Sequence, residues 1–175
     1  MMMKAQILSF LLATAISTLA FAQQDKSQRA SPPDSTVATT ADGVTITIHY
    51  SKPSLKGRQL GVDVAPLGKV WRTGANEATT FEVNRDVLVE GQRLPAGKYS
   101  LYSIPDEQRM TIIFNKIWDQ WGTRYDESQD ALRITAVPTA GQPHAEQFTI
   151  KADKTGTVTL LWGDVGVSFT VKAAK

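Results

Sequence analysis

The chain has 175 residues, 42% hydrophobic and 21% charged, a balance that excludes wholesale disorder and fibrous repetition. Nineteen Lys and Arg against seventeen Asp and Glu leave a net charge of +2, which speaks against a nucleic-acid partner, whose phosphates call for a concentrated basic face. There is no cysteine, so disulfides, thiolate metal sites, cysteine nucleophiles and lipid-modified cysteines are all excluded.

Near its start the chain has Lys4 and a mostly small or apolar stretch over residues 5–21, and Ala20-Phe21-Ala22 puts small residues at the two positions an export peptidase reads. This pattern predicts a signal peptide over residues 1–22, cleaved before Gln23, and therefore a periplasmic or secreted protein. Gln6, Ser9, Thr14, Ser17 and Thr18 interrupt the apolar segment, which argues against an uncleaved anchor. No later segment approaches the roughly 20 apolar residues that cross a bilayer, so no integral span is expected after cleavage. Residues 23–41 are rich in Gln, Ser, Thr, Asp and Pro, with Val37 the only larger aliphatic, and read as a flexible polar tether stiffened by Pro32-Pro33. The folded domain is expected over residues 42–173.

Within that domain the periodicity is that of strands. Val44, Ile46, Ile48 and Tyr50 alternate with Thr45, Thr47 and His49, which places the apolar set on one face of an extended chain. Alternation returns at Phe81 and Val83, at Tyr99 and Leu101, at Leu132, Ile134 and Ala136, and at Phe148 and Ile150. Ile112-Ile113-Phe114 is a continuous apolar run, as expected of a strand covered on both faces. Val158, Leu160 and Trp162 lead into Gly163-Asp164, after which Val165, Val167, Phe169 and Val171 alternate again, a pattern that predicts a hairpin turn at Gly163-Asp164. Glu90-Gly91 and Pro95-Ala96-Gly97 read as further turns. Only residues 118–132 have the composition for a helical turn or two, and Gly122 weakens that.

Gly68-Lys69-Val70-Trp71-Arg72-Thr73-Gly74-Ala75-Asn76-Glu77-Ala78-Thr79 gathers an aromatic, a guanidinium, an amide and a carboxylate around two small residues. Arg72, Asn76 and Glu77 could converge as the polar groups of a pocket. Alternatively Arg72 pairs with Glu77 across a loop while Asn76 satisfies its own turn.

This block, with Ser51-Lys52-Pro53-Ser54-Leu55-Lys56-Gly57-Arg58, residues 95–105, Asn115-Lys116 and Trp121-Gly122, resembles the bacterial family called Domain of Unknown Function 2911 over about His49 to Val171. The resemblance implies an exported β-rich domain and supplies no activity, cofactor or catalytic residue. It places Arg72, Gly74, Asn76, Glu77, Gly97, Trp121 and Gly122 within motifs typical of the family. Lys52 stands where that pattern commonly has arginine, and Met110 where it would have tryptophan.

Trp118-Asp119-Gln120-Trp121-Gly122-Thr123-Arg124-Tyr125-Asp126 interleaves rings with amides and carboxylates, a mixture suited to sugars, whose apolar faces stack on rings while polar neighbours read the hydroxyls. The alternative is that Trp118 and Trp121 close one end of the sandwich, their indole N–H groups satisfied by backbone carbonyls. Catalytic signals are poorer. Glu77 with Asp126 or Asp130 could form the two-carboxylate arrangement of a glycoside hydrolase. His49 and His144, the only histidines, have no nucleophile-elbow motif near them and make a poor zinc signature. Asp126, Glu127 and Asp130 lack calcium-loop spacing and have Arg124 and Arg133 as nearby ion-pair partners.

The sequence thus predicts an all-β antiparallel sandwich or barrel-like fold of about eight to ten strands with at most one short helix. It points to a binding or accessory module for a glycan or small polar ligand, with Arg72, Asn76, Glu77, Trp121 and Tyr125 as ligand-binding residues, and with no cofactor, no metal and no nucleic acid. An envelope hydrolase using Glu77 and a second carboxylate is the rival; a structural or protein-interaction domain is the third reading.

Overall fold

The computed structural model describes residues 26–175. The expected signal peptide, residues 1–22, lies outside the described residues. Ten strands follow a short 3₁₀ turn at Lys26–Gln28: β1 (Pro33–Thr39), β2 (Thr45–Ser51), β3 (Thr80–Val83), β4 (Val87–Val89), β5 (Gln92–Leu94), β6 (Gly97–Pro105), β7 (Met110–Asn115), β8 (Asp130–Ala136), β9 (Pro138–Ala152) and β10 (Thr157–Ala173). A second 3₁₀ turn, Glu127–Gln129, is all that forms of the helical stretch considered over residues 118–132. Among the described residues no helix is long and apolar enough to cross a membrane.

The strands make two antiparallel sheets, six-stranded in the order β1-β2-β3-β6-β7-β8 and four-stranded in the order β5-β4-β10-β9. They pack as a sandwich without closing into a barrel. The alternation of the sequence explains the layering: Ile46, Ile48 and Tyr50 of β2 and Phe81 and Val83 of β3 point inward with Phe148 and Ile150 of β9 and Phe169 and Val171 of β10, all buried. Phe81, Phe114 and Phe169 meet edge to face or tilted, with ring centroids 5.0 to 6.3 Å apart, and join the two sheets. Ile112, Ile113 and Phe114 are all fully buried, because β7 lies between β6 and β8 and its outer face is roofed by loops.

Two expectations are corrected. Residues 33–39, read as part of a flexible tether, form β1, in register with β2 from Pro33 opposite Ser51 to Thr39 opposite Thr45. This is a sheet edge held by backbone pairing, so a strand forms from residues too polar to signal one. Gly163-Asp164 is not a hairpin turn. Both flanking runs belong to the single long strand β10 and pair with the single long strand β9, and the register slips on either side of Gly163. The positive φ of Gly163, 57°, serves a bulge, and the extra residues move the inward set from Val158, Leu160 and Trp162 to Val167, Phe169 and Val171. The Glu90-Gly91 turn forms as expected between β4 and β5.

Phe169→Ala removes a ring shared by both sheets and is expected to cost about 3–5 kcal/mol, whereas Val37→Ala, on the exposed side of β1, should cost less than about 0.5 kcal/mol. Urea unfolding of both variants measures this. Similar losses at the two positions would contradict the assignment of the core.

Candidate functional site

The outer face of the six-stranded sheet carries two loops. The first, residues 71–79, is anchored where the Trp71 and Ser103 backbones exchange hydrogen bonds of 2.7 and 2.9 Å, and again where Leu101 donates to the Thr79 carbonyl. Thr73 and Ser103 hydroxyls meet at 2.9 Å beneath it. The second, residues 116–126, returns over β6 and β7. Asn115 fixes it by accepting from the Ile117 backbone N–H and donating to the Asp126 carbonyl, while Ser100 donates to the Ile117 carbonyl.

The loops join each other in an antiparallel bridge between Glu77 and Trp121. Ala78 donates to the Gln120 carbonyl and Gly122 to the Asn76 carbonyl, both at 3.0 Å. This approach requires glycine: a Cβ on Gly122 would stand 2.6 Å from Arg72 Cδ and 2.9 Å from the Asn76 carbonyl oxygen. Thus the two chain segments singled out in the sequence do reach one end of the molecule's outer face.

They do not, however, form one pocket. Glu77 and Trp121 line a cleft of about 620 Å³, together with Trp118, Asp119 and Gln120 of the second loop, His49, Thr80 and Lys98 of the sheet, and Lys26 and Arg29. Arg72 and Tyr125 line a separate cavity of about 250 Å³ with Val70, Trp71, Tyr102, Gly122 and Thr123. Asn76 lies between them, its amide donating to the Ser31 carbonyl at 3.0 Å and to the Ser51 hydroxyl at 3.3 Å. It adopts φ of 61° and ties the first loop to the N-terminal segment.

The expected alternatives are also settled by geometry. Arg72 does not pair with Glu77. Glu77 instead accepts both Arg29 Nη1 contacts, at 2.7 and 3.0 Å, and lies 3.1 Å from Lys26 Nζ. Trp118 and Trp121 do not seal the sandwich: they are 40% and 45% exposed and form walls of the cleft. Lys98 Nζ sits 4.4 Å above the Trp118 ring. Tyr125 is bound up on its own side, donating to Asp130 at 2.7 Å and accepting from Arg133 at 2.9 Å, and burial with the Asp130 carboxylate pushes its hydroxyl up to about 12. Arg133 also pairs with Glu127 and Asp130, as those neighbours suggested.

Glu77 feels burial, which pushes its pKa up, but its own backbone N–H, Arg29 and Lys26 together outweigh that and hold it down from 4.5 to about 2. A carboxylate so held is a poor proton donor at neutral pH. Neither Asp126 nor Asp130 lines its cleft; Asp119 does. Thr80 adds a different feature, a buried hydroxyl oxygen in the cleft with no hydrogen-bond partner. Among the described residues no three His, Asp or Glu side chains gather to hold a metal ion.

Lys26, Arg29, His49, Thr80 and Lys98 escaped the sequence reading. The polar phase of the β2 alternation was the available signal for His49, since the register places His49 opposite Thr80 and Thr80 opposite Ser100 on the outer face. A family model described as Protein of unknown function (DUF2911) matches residues 31–171, a span that takes in β1. No curated protein and no solved structure matches.

Since the folded-state pKa of Glu77 lies below its unfolded value, the ion cluster contributes fully above about pH 4.5 and its contribution is lost as the pH falls toward about 2. Melting temperature against pH should therefore fall less steeply in that window for Glu77→Gln than for the parent chain, by a modest amount because the group is partly solvated. Identical slopes would show that Arg29 and Lys26 do not clamp Glu77.

Proposed function

Because the chain belongs to the DUF2911 family, whose description states no activity, we propose a function from the site itself: the outer cleft binds a short glycan or a similar polyhydroxylated ligand. The carrying observation is the pair of exposed indoles, Trp118 and Trp121, beside a polar floor. Large aromatics normally bury their area; two left open on one cleft supply flat apolar surface of the kind that covers the C–H face of a sugar ring. Asp119 and the side-chain oxygen of Gln120 offer acceptors, and His49 offers a ring nitrogen. The volume, about 620 Å³, falls within the roughly 300–1,000 Å³ usual for small-ligand sites.

Glu77 takes the part of a fixed acceptor. Arg29 contacts both oxygens of its carboxylate and Lys26 one of them, and together they hold it ionised, which suits binding and orientation better than acid catalysis. In this reading Arg72 and Tyr125 support the second loop from behind and touch no ligand. The export signal read at residues 1–22 would carry the cleft into the bacterial envelope, where glycans are abundant.

Titration with soluble peptidoglycan fragments, chito-oligosaccharides and malto-oligosaccharides, followed by tryptophan fluorescence and calorimetry, tests the proposal. At least one series should bind, and Trp118→Ala and Trp121→Ala should each weaken it by about tenfold or more while shifting the melting temperature little, since both side chains are open to solvent. Absence of binding in every series, or full affinity in both folded variants, would refute the glycan reading.

A further inference from the structure

A third cavity lies away from the glycan cleft, between the sheets at the end of the sandwich. It encloses about 230 Å³, and its inner walls are Trp71, Phe148, Leu160, Trp162 and Val167. Trp71 and Trp162 stack at 5.3 Å with their planes 18° apart, and Phe148 stands edge-on to both, at 5.0 and 5.7 Å. These three rings lock one another, so the space cannot close by a simple rotamer change. The Trp162 N–H already donates to the Glu146 carbonyl, at 3.3 Å. The inner walls therefore offer a guest chiefly dispersion and apolar contact.

An engineered apolar cavity of about 150 Å³ stays dry and takes up benzene, so this larger one accommodates roughly ten non-hydrogen atoms. Its mouth is different in character. Asp106 and Glu107, at the exposed tip of the hairpin between β6 and β7, line the same cavity. Two carboxylates at an apolar opening repel an anionic head group while leaving a neutral or cationic one unopposed.

We propose that this end cavity is a binding site for an uncharged apolar small molecule, or for the uncharged apolar end of a larger one, and that Asp106 and Glu107 select against fatty-acid carboxylates. The proposal is independent of the glycan cleft, with which the cavity shares no lining residue.

The neutral dye 1-aminonaphthalene, small enough for the cavity and with fluorescence that shifts in apolar surroundings, provides the assay on the full chain. The dye should bind, with energy transfer from tryptophan. Decanol should displace it at concentrations about tenfold lower than decanoate, measured below the micellar range at neutral pH. Val165→Trp, which places an indole into the cavity from β10, should abolish dye binding. Because that variant could fold poorly, Asp106→Lys combined with Glu107→Lys is the second arm. Both positions are exposed, and the double variant should bring decanoate to within about twofold of decanol. No dye binding by the folded parent chain, undiminished binding in a folded Val165→Trp protein, or an unchanged decanol-to-decanoate ratio in the double variant would each overturn the proposal.

Discussion

The outer face of this sandwich is organised by one backbone contact, the antiparallel bridge that sets Glu77 opposite Trp121. Two loops of irregular structure lie over a sheet whose outer face would otherwise expose Tyr102 and Ile113, and both of those side chains are buried beneath them. Each loop is attached to the sheet at its own base, but only the hydrogen bonds of Ala78 to Gln120 and of Gly122 to Asn76 attach them to each other. Such paired amides and carbonyls have nowhere else to go once covered, which makes the contact cooperative with burial. Gly122 is what permits it, since any side chain at that position would collide with Arg72 and the Asn76 carbonyl.

The same bridge divides the chemistry. Opposed residues in an antiparallel pair project to one side and their neighbours to the other. Glu77 and Trp121 therefore share the large cleft, while Gly122 turns toward Arg72 and the cavity of Tyr102 and Tyr125. Arg72 and Tyr125 therefore line the smaller cavity, and the ionic partners of Glu77 come from the N-terminal segment. That segment is in turn tethered by Asn76, which donates to the Ser31 carbonyl. The cleft is thus assembled from three separate parts of the chain on a rigid sheet, an arrangement suited to fixing polar groups and flat aromatic surface in one geometry.

What the sequence revealed follows from which forces are local. The alternation of Val44 to Tyr50 is a property of consecutive residues, so the strand, its inward face and the polar outward set could all be read directly. β1 could not, because its pairing with β2 uses backbone groups that every sequence carries, and its side chains, Val37 among them, are largely exposed. The Gly163 bulge and a hairpin share the same local cue, a positive φ between alternating runs; only the length of β9 opposite decides between them. For the site, the two loops could be suspected from composition. That Glu77 would choose Arg29, 48 residues away, over the nearby Arg72 depends on where the bridge points the carboxylate, which no local pattern encodes.

Exchange of the Ala78 and Gly122 amide hydrogens, followed by NMR under native conditions, tests the joining of the two loops most directly. If the bridge organises the outer face, both amides are protected to a degree approaching that of Leu101 in the sheet beneath. Exchange of both at the rate of an open surface loop, with Leu101 still protected, would contradict the account.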